Sequence, residues 1–528
     1  MPSAPDAAPG PDRRPALGGP YSRYVLGVLV LVYIVNFLDR QILSILAEEI
    51  ARDLGLSDAQ LGFLYGTAFA VFYAIFGIPL GRLADVWNRR SLIASGLAVW
   101  SAMTAVSGLA RSFGQLAGAR IGVGVGEASA TPAAYSLLSD WFPPARRATV
   151  LAIYSSGLYI GMGLGLGIGG LVVDAWNEAF AGGEAPLGLR GWQVAFLVVG
   201  TPGLVMALWV RSLREPVRGQ AEGISSPVEP HPFHEFAREL RSVLPPLTLL
   251  HLAGAGGGAA ALRLNLGAAV ALAVAAALLV AATGDTAQWS ALAVGLYAAV
   301  SWAQALALRD RESFDLIFRT RSLRWAVLGF ASLGFTGYGV GFWAAPFIQR
   351  VHGVSPSESG VALGTIIALG GWLGVTAGGI TADRWRLTRA TGRLRLTIVA
   401  ALVPLPLAVW FVGTDDVRIA YALFFGLAAL NAVWVGAGAA TVTELVYPRM
   451  RATASAAYLL VVTFIGLAMG PWTIGRMSVA LGDLRAAMLL AFAMNLVAAA
   501  FLVAAARHLA ADEAALRRRA RAPGAPVG

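Results

Sequence analysis

Apolar runs long enough to cross a lipid bilayer dominate the chain, and that feature removes most soluble folds from consideration. A spanning helix needs roughly 20 mostly apolar residues, because in hydrocarbon every backbone N–H and C=O must be satisfied inside the helix. Such runs occupy about 24–46, 60–82, 92–110, 114–138, 148–173 and 190–211. After a polar, proline-containing stretch from Ser212 to Val243, six more lie near 324–347, 358–382, 394–413, 417–441, 450–475 and 484–507. Two further runs, about 264–283 and 287–308, are joined by the turn Gly284-Asp285-Thr286-Ala287 and read as a helical hairpin. The segment Leu244 to Ala261, with Pro245, Pro246 and the glycines Gly256 to Gly258, reads as interfacial, since paired prolines and clustered glycines disfavour a regular spanning helix.

The expectation is an all-α polytopic membrane protein of about 14 spans: two six-helix bundles with an inserted two-helix hairpin. Its parts are an N-terminal tail (1–23), a first bundle (24–211), a linker (212–323) carrying the hairpin at about 264–308, a second bundle (324–508) and a C-terminal tail (509–528). The first run contains Asn36, Asp39 and Arg40 and lacks a small-residue cleavage site, so it reads as a retained span rather than a signal peptide.

Charge then sets orientation. Charged residues make up 13% of the chain, against about a quarter in globular proteins. There is no cysteine, and all 40 basic residues are arginine. A net charge of +10 would suggest nucleic acid as a partner of a soluble protein, but these arginines sit in short loops between apolar runs, so no nucleic-acid partner is expected. One set of loops carries Arg82, Arg89 and Arg90, then Arg146 and Arg147, Arg211, Arg214 and Arg218, Arg384, Arg386, Arg389, Arg393 and Arg395, and Arg449 and Arg451. The opposite loops hold scattered arginines such as Arg52, Arg111 and Arg418. The positive-inside rule puts the arginine-rich face and both termini in the cytoplasm. The run Arg517-Arg518-Arg519 suits a solvated tail beside anionic lipid.

The two halves echo each other. Gly81-Arg-Leu-Ala-Asp85 follows the second span as Gly379-Ile-Thr-Ala-Asp383 follows the eighth, and Pro144-Ala-Arg-Arg-Ala-Thr149 matches Pro448-Arg-Met-Arg-Ala-Thr453. The second match keeps one offset from Asp140/Glu444 through Tyr154/Tyr458, which argues for a duplicated six-helix unit.

Four charges interrupt the apolar runs: Asp39 and Arg40 in the first span, Arg120 and Glu127 in the fourth. A charge inside a span costs several kcal/mol unless it is paired or faces water. Arg120 and Glu127 are seven residues apart, two helical turns, and share one face. Such a group is either a proton switch, whose carboxylates respond to burial and to a movable arginine, or a static ion-pair network. Aromatic and polar residues on the seventh and tenth spans (Tyr338, Phe342, Trp343, Asn431 and Trp434) either line a cavity opposite these charges or serve as packing. The glycines of the fifth span, Gly157 to Gly170, read as close helix packing and rocking.

The pattern Gly81-x-x-x-Asp85-x-x-x-Arg89-Arg90, with its second-half copy at Gly379 and Asp383, resembles the signature of the major facilitator superfamily. It departs at Val86, where a basic residue is usual, and at Asn88, where a glycine is usual and where Asn tolerates left-handed backbone. The resemblance implies that the first and fourth spans are neighbours, which would gather Asp39, Arg40, Arg120 and Glu127 into one cluster. It also implies gating by Gly81, Asp85, Arg89, Arg90 and Asp383, with Asp85 meeting the start of the eleventh span and Asp383 the start of the fifth. A helix N-terminus there offers free N–H groups and a positive dipole to a carboxylate.

Asn36-Phe37-Leu38-Asp39-Arg40-Gln41, the segment Asp53 to Gly62, and Arg120 with Gly126-Glu127-Ala128 narrow the resemblance to the Spinster branch, through most of the first half. That implies a proton-coupled secondary transporter of a small amphiphile, lysophospholipid-like or sphingosine-phosphate-like, acting as a monomer with protons and membrane lipids as partners. The inserted hairpin departs from that pattern. An organic-anion or drug carrier is the alternative within transport; a non-transporting lipid sensor is the alternative outside it. No catalytic residue, cofactor or metal is expected: His231, His234, His251, His352 and His508 fall in or near loops, and a Gly-x-x-x-x-Gly-Lys nucleotide loop is impossible without lysine.

Overall fold

The computed structural model describes residues 16–222, 229–254 and 258–520. Arg13, Arg14, Gly256 and Gly257 lie outside the described residues. The first half comprises α1 (Pro20–Leu54), α2 (Asp58–Val86, bent at Gly66), α3 (Arg89–Ser107), α4 (Phe113–Glu127 continuing as Ala130–Trp141), α5 (Pro144–Ala179) and α6 (Gly191–Arg211). Between the halves lie α7 (Pro232–Val243), α8 (Leu247–Gly254), α9 (Gly258–Thr283), α10 (Thr286–Arg309) and α11 (Arg311–Arg319). The second half comprises α12 (Arg321–His352), α13 (Pro356–Thr388), α14 (Gly392–Gly413), α15 (Val417–Glu444), α16 (Arg451–Leu481) and α17 (Leu484–Arg518).

Local sequence explains the helix boundaries. Proline at the first position opens α1, α5 and α13, where a missing N–H costs nothing. Ser57 caps α2 through a reciprocal pair with Gln60, and Ser112, Ser355, Asp416 and Asp483 cap later helices. Gly55 and Gly353 end α1 and α12 in left-handed backbone, both at φ 65°. These two turns stand 298 residues apart, as do Ser57 and Ser355, Gly81 and Gly379, and Asp85 and Asp383. The duplication therefore extends from the signature loop back to the preceding turn.

Helix pairing repeats as well. In the first half α1 packs on α5, α3 on α6 and α2 on α4; in the second, α12 packs on α16, α14 on α17 and α13 on α15. Among the described residues, twelve helices are long and apolar enough to cross a membrane: α1, α2, α5, α6, α9, α10 and α12 to α17. The hairpin belongs to that set. The third and fourth expected spans form α3 and α4 but fall outside it: Arg89 and Arg90 open α3, and α4 is broken at Ala128 and Ser129 into pieces of 15 and 12 residues.

Two local expectations change. α9 begins at Gly258, inside the stretch read as interfacial, and its buried Asn265 donates to Ser301 and Gln304 and accepts from Tyr297 of α10. Asn88 is not left-handed: at φ −67° and ψ 112° it is the N-cap of α3, and its side chain accepts from the Ser91 N–H at 3.0 Å.

Candidate coupling site and gates

The four interrupting charges meet in the structure. α1 brings Asp39 and Arg40 to α4, where Arg120 and Glu127 share a face, and all four side chains are buried. Arg40 Nη2 donates to Glu127 Oε2 at 2.6 Å. The Arg40 guanidinium lies over the rings of Phe69, Phe37 and Tyr73 at 4.4, 4.7 and 5.4 Å, cation–π contacts that help hold it away from water. Arg120 Nη1 approaches the backbone carbonyl of Asp39 at 3.4 Å rather than its carboxyl. Both carboxyl oxygens of Asp39, Glu127 Oε1 and Arg120 Nη2 are buried without a hydrogen-bond partner. Trp100 and Thr104 of α3 flank the Asp39 carboxyl. The cluster is thus one tight ion pair beside a second carboxyl–guanidinium couple that is not closed, and unpaired buried polar groups of this kind are costly and rare.

Of the expected cavity residues, Tyr338 is half-buried and within electrostatic reach of Arg40, and Asn431 packs against Gly337 beside it. Phe342 and Trp343 differ. Both are fully buried where α12 meets its neighbours: Phe342 stacks on Tyr65 of α2 at 4.5 Å, and Trp343 donates to the Pro471 carbonyl at 2.8 Å. Trp434 is buried against Phe330. These three residues are packing, because their rings fill helix contacts rather than face open space.

The halves touch along two seams and a central strip, on the arginine-poor half. At one seam the backbones of α5 and α13 approach so closely that a Cβ on Gly163 would lie 2.4 Å from the Gly364 carbonyl oxygen, and one on Gly170 2.1 Å from that of Pro356. At the other, a Cβ on Gly62 would lie 2.4 Å from the Pro471 carbonyl oxygen and one on Gly475 2.2 Å from that of Asp58. Between them, Ser44 donates to the Phe342 carbonyl at 2.5 Å and Gln41 to that of Gly341 at 3.3 Å. A polar latch closes the rim: Arg350 of α12 pairs with Glu48 at 2.6 Å and Asp58 at 2.8 Å, Ser478 donates to Asp58 at 2.6 Å, and Asp174 accepts from the Ser357 N–H at 2.8 Å. Toward the arginine-rich face a Cβ on Gly81 or Gly379 would meet open space.

The family model of the major facilitator superfamily matches residues 29–471. The chain belongs to the major facilitator superfamily. A crystal structure of a bacterial homologue of the human lysosomal transporter Spinster, inward-facing and unoccupied, superposes with a TM-score of 0.71 at 27% identity, over 93% of this chain and 98% of that one. An MFS-type efflux pump of Mycolicibacterium smegmatis is 28% identical over 96% of this chain and 98% of its own length. Protein spinster of Drosophila melanogaster is 22% identical over 91% of this chain and 66% of its own. The chain is a Spinster-like secondary transporter, a multi-pass membrane protein and not an enzyme.

The signature-loop residues of this superfamily member form contacts within each half and, for Arg89 and Arg90, with Glu215 just after α6, rather than a latch between halves. Arg89, fully buried, pairs with Asp140 and with Glu215 at 2.7 Å, while the Arg90 N–H donates to Glu215 at 3.0 Å. Asp383 pairs with Arg393 at 2.8 Å, and Arg393 with Glu444 at 2.5 Å. Asp85 makes no ion pair among the described residues. The expected meetings of Asp85 with the eleventh span and Asp383 with the fifth are therefore not made among the described residues, and Asp383 is held by Arg393 of its own half. Asp140 and Glu444 occupy matching places in the repeat and each grips a signature-loop arginine; the shared offset marked them as repeat partners, not as ion-pair partners. The latch of Glu48, Asp58, Asp174 and Arg350 escaped sequence reading, because each lies at a helix end where an exposed charge is the ordinary outcome.

Proposed function

We propose that this chain is a proton-coupled transporter of a single-tailed amphiphile with an anionic or zwitterionic head, lysophospholipid-like or sphingosine-phosphate-like, working by alternating access. The observation that carries the reading is the buried cluster on α1 and α4, where Glu127 is paired with Arg40 while the Asp39 carboxyl has no hydrogen-bond partner. A carboxyl in that position exchanges a proton more readily when a neighbouring guanidinium moves or an anionic head arrives. Arg40 is caged by aromatic rings, which suits a head group followed by an apolar chain.

In this reading α3 and α4 also cross the bilayer, giving fourteen crossings, and the arginine-rich face with both termini is cytoplasmic. The bundles are 24–211 and 324–508, joined by a linker at 212–323. The state described, sealed on the arginine-poor half, is then inward-facing, and Asp85 and Asp383 form their cross-bundle contacts in the opposite state. The protein acts as a monomer. Its resemblance to a mycobacterial efflux pump favours outward movement and supports a second reading, a proton-coupled drug or organic-anion carrier.

One experiment separates the two. Purified protein in proteoliposomes with an imposed pH gradient is offered a fluorescent lysophosphatidylethanolamine or an anionic dye of similar mass. Gradient-driven movement of the lysolipid and not the dye is expected; movement of the dye alone moves the assignment to the carrier, and movement of neither removes both substrate readings.

A further inference from the structure

The inserted hairpin takes no part in the cluster, and its two helices have unequal surroundings. α9 presents Leu264, Leu266, Val270, Val274 and Leu278 outward as a lipid-facing surface. α10 is packed, with Gln288, Trp289 and Trp302 buried. Its contacts straddle the seam between α2 of the first half and α16 of the second. The Thr67 hydroxyl of α2 lies 2.6 Å from Gln288 Oε1 and 2.8 Å from the Ala468 carbonyl oxygen of α16, so one buried polar knot joins three helices. Trp289 packs edge-on against Trp472 at 4.8 Å. A Cβ on Gly295 would lie 2.4 Å from Phe464 of α16 and 3.0 Å from Val71 of α2, so α10 fits a groove that both halves build. At the turn, Arg476 reaches Asp285 at 3.5 Å.

The same segment is anchored at its other end. Glu235 of α7 pairs with Arg82 of the first half at 3.0 Å, Glu239 of α7 with Arg309 of α10 at 3.1 Å, and Glu312 of α11 with Arg449 of the second half. The hairpin is therefore fastened to both halves at both ends.

We propose that α10 is a third member of the gate on the arginine-poor half, a transmembrane brace that grips α2 and α16 together and biases the protein toward the conformation sealed on that side. Opening that side separates α2 from α16, and α10 can follow only one of them. Gln288, whose Nε2 also donates to Met469 Sδ of α16 at 3.5 Å, then loses either Thr67 or Met469 at a depth where water is scarce, and the groove that receives Gly295 comes apart. Loosening α10 leaves the glycine contacts and the rim latch in place and removes only the additional grip.

The absence of cysteine allows a direct test. In the full chain in lipid nanodiscs, spin labels at Arg111→Cys and Arg418→Cys report the spread of the arginine-poor face by pulsed dipolar spectroscopy. A pair at Arg111→Cys and Arg190→Cys, both in the first half, reports that its fold is intact. The parent is expected to show mainly the short cross-bundle distance. Gln288→Leu and Trp289→Ala, tested separately, each raise the long-distance fraction at least threefold with the control distance unchanged. Asp285→Asn at the hairpin turn gives a smaller rise without touching the packed surface of α10, and decides the matter if the other two disturb the control. Cross-bundle distributions that stay at the parental fraction, or move to shorter distances, overturn the brace.

Discussion

Arg40 and Glu127, 87 residues apart in sequence, form a buried ion pair at 2.6 Å between α1 and α4. Removing one partner of such a pair leaves an uncompensated charge and typically costs about 3–5 kcal/mol. Glu127→Ala is therefore expected to lower the melting temperature by several degrees in detergent. Glu127→Gln keeps an acceptor for Arg40 and loses less. Equal melting of Glu127→Ala and the parent would show that the pair does not hold the helices together.

Asp39 behaves oppositely. Its carboxyl is buried with no hydrogen-bond partner, so an ionised side chain there gives little to the fold in this state. Asp39→Asn is expected to melt within roughly 1 kcal/mol of the parent, or higher, as measured by thermal unfolding. A large loss would mean that Asp39 is a structural anchor.

The glycines separate two kinds of helix surface. Gly163→Val places atoms where a Cβ already meets the Gly364 carbonyl at 2.4 Å, with backbone that cannot yield, so α5 and α13 are forced apart. Gly81→Ala meets open space in this state. Transport is expected to fall at least tenfold for Gly163→Val. The population sealed on the arginine-poor half should be unaffected by Gly81→Ala, as read by cysteine accessibility on that face.

The rim latch is partly exposed, and such pairs are worth roughly 1 kcal/mol or less after solvent screening. Arg350→Gln removes both the Glu48 and the Asp58 contacts and is expected to raise accessibility of cysteines on the arginine-poor face about twofold to fivefold. High salt should reproduce part of that effect in the parent.

How much of this was legible follows from what each residue type must do. Asp39, Arg40, Arg120 and Glu127 stood out because charge at membrane depth demands a partner, and the structure brings them together. The duplication was visible in two loops, and Gly55/Gly353 with Ser57/Ser355 extends it. The pairing pattern inside the cluster was not legible, since four charges on two helices allow several arrangements; only packing decides that Arg120 meets a backbone carbonyl. Phe342 and Trp343 misled for the same reason, because an aromatic ring reads alike in a cavity wall and in a helix contact. The polar start of α3 and the break in α4 keep them outside the set of candidate spans, and the role proposed for α10 depends on contacts 221 residues apart, between Thr67 and Gln288, that no local pattern announces.

The measurement closest to the central claim is substrate-driven proton flux in proteoliposomes, followed by a pH dye in the lumen while fluorescent lysophosphatidylethanolamine is supplied outside. The parent is expected to change the luminal pH on addition of the lysolipid. Asp39→Asn and Glu127→Gln should each reduce that response to the level of protein-free vesicles. Parental proton flux in both variants, with each variant folded, would contradict coupling through the cluster.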